Sequence, residues 1–228
     1  MANPEFLAWQ LKKLGTPPMP KVDEVEMLRY GKHLTAITGI GALQSRTDAL
    51  LVGAFLPLDT MADYSIALLV QEQFRRLWGI YMTVRYPPLV RMAIERRRRR
   101  IIVEGGLVTV GFILMGLGIA VMAHLLIPII LPPSYANSLG YMDGLIATLI
   151  IGIPGGMIEM YFRTEQNEKR QYQMRLISAF FGVLAPLALI HHWKAYGVIG
   201  GRIIANLILS IVGGWLFMKD KGNRISAS

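Results

Sequence analysis

The chain has 228 residues, 53% of them hydrophobic and only 17% charged, with a net charge of +9 at pH 7 and a mean hydropathy of +0.42. Soluble domains carry roughly 25% charged residues, so this composition points to a bilayer, and the length leaves no room for a separate soluble catalytic domain. The absence of cysteine excludes disulfides, thiolate nucleophiles and cysteine metal sites. The positive residues gather beside apolar spans, which fits anionic lipid headgroups rather than nucleic acid.

Residues 1–21 open the chain. Phe6, Leu7, Trp9, Leu11 and Leu14 interleave with Lys12 and Lys13, a pattern that predicts a short amphipathic helix on a membrane surface. It lacks the basic start and apolar core of a cleaved signal. Residues 22–219 read as an all-α, polytopic membrane bundle of about six transmembrane helices. The first predicted span is Leu34–Leu56, followed by a tight turn at Pro57, Leu58 and Asp59. The second, Ala62–Tyr86, is expected to stop at Pro87–Pro88. A basic interfacial stretch, Leu89–Arg100, leads into the third, Ile101–Leu131. Gly105–Leu131 alone carries no Lys, Arg, Asp or Glu over 27 positions, ample for a core of about 30 Å. Pro132–Pro133 breaks it. The fourth span is Leu139–Phe162, a polar loop covers Arg163–Gln173, and the fifth and sixth are Met174–Trp193 and Val198–Met218. Residues 220–228 form a polar tail.

Charge sets the orientation. Of the 24 Lys and Arg, 19 fall in the amino-terminal segment, the even-numbered loops and the tail, and the odd-numbered loops offer only Lys194. That bias predicts both termini in the cytoplasm. The run Arg96–Arg100 is most simply an anchor for this topology.

Function is sought among polar groups inside the spans, since a charge at the centre of such a helix costs about 2.5–3.5 kcal/mol. The first span carries Gln44, Arg46 and Asp48; the second carries Gln71, Glu72, Arg75 and Arg76. Gln44 and Asp48 are four apart, as are Glu72 and Arg76, so each pair shares a helix face. A tight hairpin places both sets at similar depth. The functional reading is a wet cavity for an anionic or sugar-rich substrate, with arginine forks for phosphate oxygens. The bland reading is a set of internal ion pairs, Glu72 with Arg76 and Asp48 with Arg46 or Arg75. Gly152 and Gly156, and Gly197 and Gly201, have the spacing that lets helices approach closely, and Pro154 adds a bend or hinge. His124 reads as a satisfied interior histidine more readily than as a proton relay. No metalloprotease, phosphate-loop or nucleophile-elbow motif is present, and no enzyme activity, metal or cofactor is expected. Asp143-Gly144-Leu145-Ile146-Ala147 opens like a phosphatidyltransferase motif, but Thr148 stands where that motif needs arginine and no paired aspartates follow.

Three stretches then carry a resemblance. Leu28-Arg29-Tyr30-Gly31, Asp48-Ala49-Leu50-Leu51-Val52-Gly53 and Met61-Ala62-Asp63-Tyr64-Ser65-Ile66-Ala67 resemble the seventh and eighth helices of bacterial polysaccharide (O-antigen) flippases, with Asp63 in place of the usual glycine. Tyr86-Pro87 is similar to the end of the eighth helix. Leu131-Pro132-Pro133-Ser134-Tyr135 is similar to a family turn, and Tyr196-Gly197-Val198-Ile199-Gly200-Gly201 resembles the loop before the final helix. The likeness covers about residues 25 to 218 and only the carboxy-terminal six-helix half of the multidrug, oligosaccharidyl-lipid and polysaccharide exporter superfamily. It implies a multi-pass protein of the bacterial inner membrane that moves a lipid-diphosphate-linked oligosaccharide. Its partners would be membrane lipids, that substrate and a second six-helix bundle, supplied by another chain or a second copy. Arg46, Arg75 and Arg76 would then meet the diphosphate or anionic sugars, and Gln44, Asp48, Gln71 and Glu72 would meet sugar hydroxyls or a coupling cation. The alternatives are half of a cation-coupled multidrug exporter, and a non-transporting subunit or remnant of a split gene.

Overall fold

The computed structural model describes Thr35, Gly39, residues 47–165 and residues 167–219, without the side chains of Ile94, Glu95 and Glu168. The chain divides into two units, Met1–Ile40 and Gly41–Ser228. In the first, Thr35 and Gly39 are helical. The expected amphipathic segment at 1–21, the tail at 220–228, and Gln44 and Arg46 lie outside the described residues.

The second unit is helical, with no strand among the described residues. Helix α1 is described over residues 47–55, and Pro57 follows it. Helix α2 is Leu58–Val90, α3 is Ile94–Ile130, a short 3-10 turn is Pro133–Tyr135, α4 is Asn137–Thr164 and α5 is Glu168–Lys219. Arg96–Ile130, Pro133–Thr164 and Lys169–Lys219 are long and apolar enough to cross a membrane.

Helix α5 reverses direction at Lys194, which has φ 50° and ψ −129°. This is the first-central-residue geometry of a type II′ turn, normally glycine, and it divides α5 into arms 168–193 and 195–219, each about 38 Å long. Glycine makes the reversal possible on the far side. A Cβ on Gly197 would lie 2.3 Å from the Leu189 carbonyl oxygen, and one on Gly201 would lie 2.2 Å from the Pro186 nitrogen. The two arms therefore touch backbone to backbone, as small residues at four-residue spacing allow.

Three boundaries differ from the sequence expectation. Helix α2 continues through Pro87 and Pro88 to Val90. Its end is held by an arginine further on: Arg97 Nε donates to Leu89 O at 2.8 Å, and its terminal nitrogens donate to Val90 O at 3.0 Å, Met92 O at 2.8 Å and Thr164 O at 3.2 Å. Helix ends leave carbonyls without partners, and one buried guanidinium serves the ends of both α2 and α4. The basic stretch is accordingly the start of α3, since arginine is a good helix former. The polar loop expected over Arg163–Gln173 shrinks to the few residues between Thr164 and Glu168. Asn167 Oδ1 accepts the Arg170 N–H at 3.2 Å and caps the next helix.

Two apolar clusters make the core. One gathers Tyr64 and Ala67 of α2, Tyr141 to Ile146 of α4 and Val198–Ile199 of α5. The other gathers Ile153 to Phe162 of α4, Met174 and Leu209 of α5 and Ile101 of α3. In chain register, Gln71, Thr148, Arg202 and Asn206 fall between the two clusters on their respective helices.

Candidate functional site

These four residues belong to a polar layer enclosed by apolar ones. A cavity of about 320 Å³ opens there between α2, α4 and both arms of α5. Gln71, Arg75, Thr148, Arg202, Asn206 and Glu159 supply its polar lining, and Phe74, Trp78 and Phe112 supply an aromatic wall.

Backbone geometry holds the polar side. Thr148 Oγ1 donates to Leu145 O at 2.7 Å, one turn back on its own helix. Gln71 Nε2 reaches Thr148 Oγ1 at 3.3 Å and Leu145 O at 3.4 Å. Asn206 Nδ2 donates to Thr148 O at 2.6 Å. Three helices thus meet at one threonine. Asp48 of α1 is 2% exposed and pairs with Arg202, with Arg202 Nε 2.6 Å from Asp48 Oδ1. Arg75 acts on the same carboxylate. Glu159 pairs with Arg175 at 2.8 Å. Asp48 Oδ2, Tyr64 Oη and Gln71 Oε1 are buried with no hydrogen-bond partner among the described residues. A buried polar atom in that state costs about 1–3 kcal/mol.

The aromatic wall is ordered by edge-to-face contacts. Phe74 and Phe112 have ring centroids 5.1 Å apart at 80°, Trp78 and Phe112 are 5.7 Å apart at 83°, and Tyr81 stacks on Trp78 at 5.5 Å. Glycine sets the position of this wall. A Cβ on Gly156 would meet Trp78 Cζ2 at 2.9 Å, and one on Gly152 would meet Asn206 Nδ2 at 3.2 Å.

The sequence candidates divide. Gln71, Arg75, Gly152 and Gly156 line the cavity, and Asp48 reaches it through Arg202. Glu72 is half-buried and Arg76 is exposed, and neither lines it. Pro154 lies inside α4 without ending it and faces α3 instead. Gly197 and Gly201 belong to the α5 reversal. His124 Nε2 is 3.6 Å from Asp143 Oδ2, with both side chains nearly half exposed. Asp48 takes Arg202 as its close partner among the described residues.

Sequence reasoning missed Arg202, Asn206, Thr148 and Trp78. A signal existed for the first: Arg202 is the lone charge inside the sixth predicted span, and such a residue demands a partner. Among the described residues no cluster of His, Asp and Glu could hold a metal ion. No family model, curated protein or solved structure matches the chain.

Proposed function

We propose that this chain is the cavity-bearing bundle of a membrane transporter for a lipid-diphosphate-linked oligosaccharide, with about six crossings of the bacterial inner membrane and both ends in the cytoplasm. In this reading α1, α2, α3, α4 and the two arms of α5 are the six crossings. A second bundle, from another chain or a second copy, closes the cavity, and the two rock around it in alternating access.

The observation that carries the reading is the amphipathic cavity in the polar layer. Arg75 and Arg202 offer guanidinium forks suited to phosphate oxygens. Gln71, on the cavity lining, has in Oε1 an acceptor with capacity left for a donor hydroxyl. The Trp78 and Phe74 rings supply an apolar surface against which the C–H face of a sugar can stack. Resting ion pairs matter here as well. The Asp48–Arg202 contact keeps a cation tolerable at mid-depth until a phosphate competes for it.

Binding of polyisoprenyl diphosphate and of the corresponding polyisoprenyl alcohol, measured by native mass spectrometry on the purified chain, tests this. The diphosphate should bind at least tenfold tighter, a difference of about 1.4 kcal/mol. Arg75→Gln should erase the difference, and Arg76→Gln, outside the cavity, should preserve it. Equal binding of the two lipids by the unaltered chain defeats the proposal.

A further inference from the structure

A second hollow, of about 340 Å³, lies between α3 and α4 and is almost wholly apolar. Ile102, Gly105, Gly106 and Thr109 form one wall, and Met157 and Phe217 form the other. The α3 positions recur at steps of three and four, so they make one stripe. Carried one turn towards the amino terminus, that stripe reaches Arg98 and Arg99. Arg98 sits over the Phe217 ring at 4.9 Å from its centroid and donates to Phe217 O at 3.3 Å. A guanidinium therefore stands at the mouth of the groove, on one of its own lining residues. Arg99 is exposed beside it.

Dimensions and charge select the occupant. From Arg98 to Thr109 the helix rises about 16 Å, half of a hydrocarbon core of about 30 Å. The groove is thus one leaflet deep, and its charged mouth lies where headgroups lie. Glu104, the acid near the groove among the described side chains, is engaged by Arg85 and Arg100, so it does not oppose an anion. At the floor, a Cβ on Gly106 would meet nothing within 4 Å. We infer that this groove binds an anionic phospholipid, with one acyl chain along Gly105 and Gly106 and the phosphate on Arg98 and Arg99. The inference rests on the membrane placement proposed above and not on transport.

The test is electron paramagnetic resonance of chain-labelled phosphatidylglycerol and phosphatidylcholine, with the full chain reconstituted in phosphatidylcholine bilayers. An arginine at the headgroup level contributes about fivefold in affinity. Phosphatidylglycerol should therefore be retained in the immobilised population about fivefold or more over phosphatidylcholine. Arg99→Gln should lower that excess by about fivefold. Gly106→Leu, which fills the groove from an open position, should abolish it, and Leu107→Ala on the outward face should leave it unchanged. Equal retention of the two lipids by the unaltered chain overturns the inference, as does an excess that survives Gly106→Leu. Disulfide cross-linking of Thr109→Cys between two chains would give the groove to a second copy and would also overturn it.

Discussion

Helices α3 and α4 are both apolar enough to cross a membrane, yet they live in different surroundings. The most apolar window of α3 has a hydropathy of 2.4 and is 6% buried, and that of α4 has a hydropathy of 1.7 and is 50% buried. The greasier helix is the less packed. In a bilayer, lipid tails are as apolar as leucine, so hydropathy measures preference for lipid and says little about contact with protein. Contact follows small and polar residues instead. Helix α4 meets its neighbours at Gly144, Gly152, Gly155 and Gly156, and its Thr148 is the point on which Gln71 and Asn206 converge. On α3 only one side does so: Gly116 would bring a Cβ 2.9 Å from Ile146 Cγ2, and Gly105 one 3.6 Å from Met157 Cγ, whereas Gly106, Gly111 and Gly118 have no atom within 4 Å of where a Cβ would sit.

The comparison can be broken first at its exception. Arg97 belongs to α3 but serves the ends of α2 and α4, and it lies 3.6 Å from Glu165. Arg97→Ala should destabilise the chain by about 3–5 kcal/mol, the range for removing one partner of a buried ionic contact. Arg96→Ala, at an exposed position of the same run, should stay within about 0.5 kcal/mol. Thermal unfolding in detergent separates the two. Equal effects would mean that the arginine run acts only through its charge.

Next in size is overpacking at the seam. A Cβ on Gly144 would lie 2.8 Å from Ile199 Cγ2, so Gly144→Leu should cost about 1–3 kcal/mol. The smallest effect belongs to the open face. Gly118→Ala should stabilise α3 by up to about 1 kcal/mol through helix propensity alone. If Gly118→Ala proved as damaging as Gly144→Leu, α3 would have to be packed in the assembled protein. Lys194→Gly should also stabilise by about 1 kcal/mol, because glycine adopts positive φ without strain.

Much of the helical layout was legible, because apolar runs bounded by proline and charge are local signals. Partnerships were not. Asp48 and Arg202 are 154 positions apart, and no periodicity relates them. Within five identical arginines nothing marks Arg97 as the one that turns inward; only the placement of the α2 and α4 ends decides it. The extension of α2 past Pro87–Pro88 has the same non-local origin. The break between the fifth and sixth spans, with Lys194 in it, was legible, but its positive φ was not, since that is imposed by the arms that close behind it at Gly197 and Gly201. The aromatic wall escaped notice because Phe74 and Trp78 look like ordinary core residues at helical spacing.

Because the chain has no cysteine, single cysteines can report directly on whether the polar layer is wet. A membrane-impermeant thiol reagent applied to Asn206→Cys and to Leu114→Cys, with the chain inserted in vesicles open to the reagent on both sides, is the most direct measurement. The account predicts rapid labelling at position 206, which lines the cavity, and none at position 114 on the open apolar face of α3. A position 206 as inert as position 114 would contradict it.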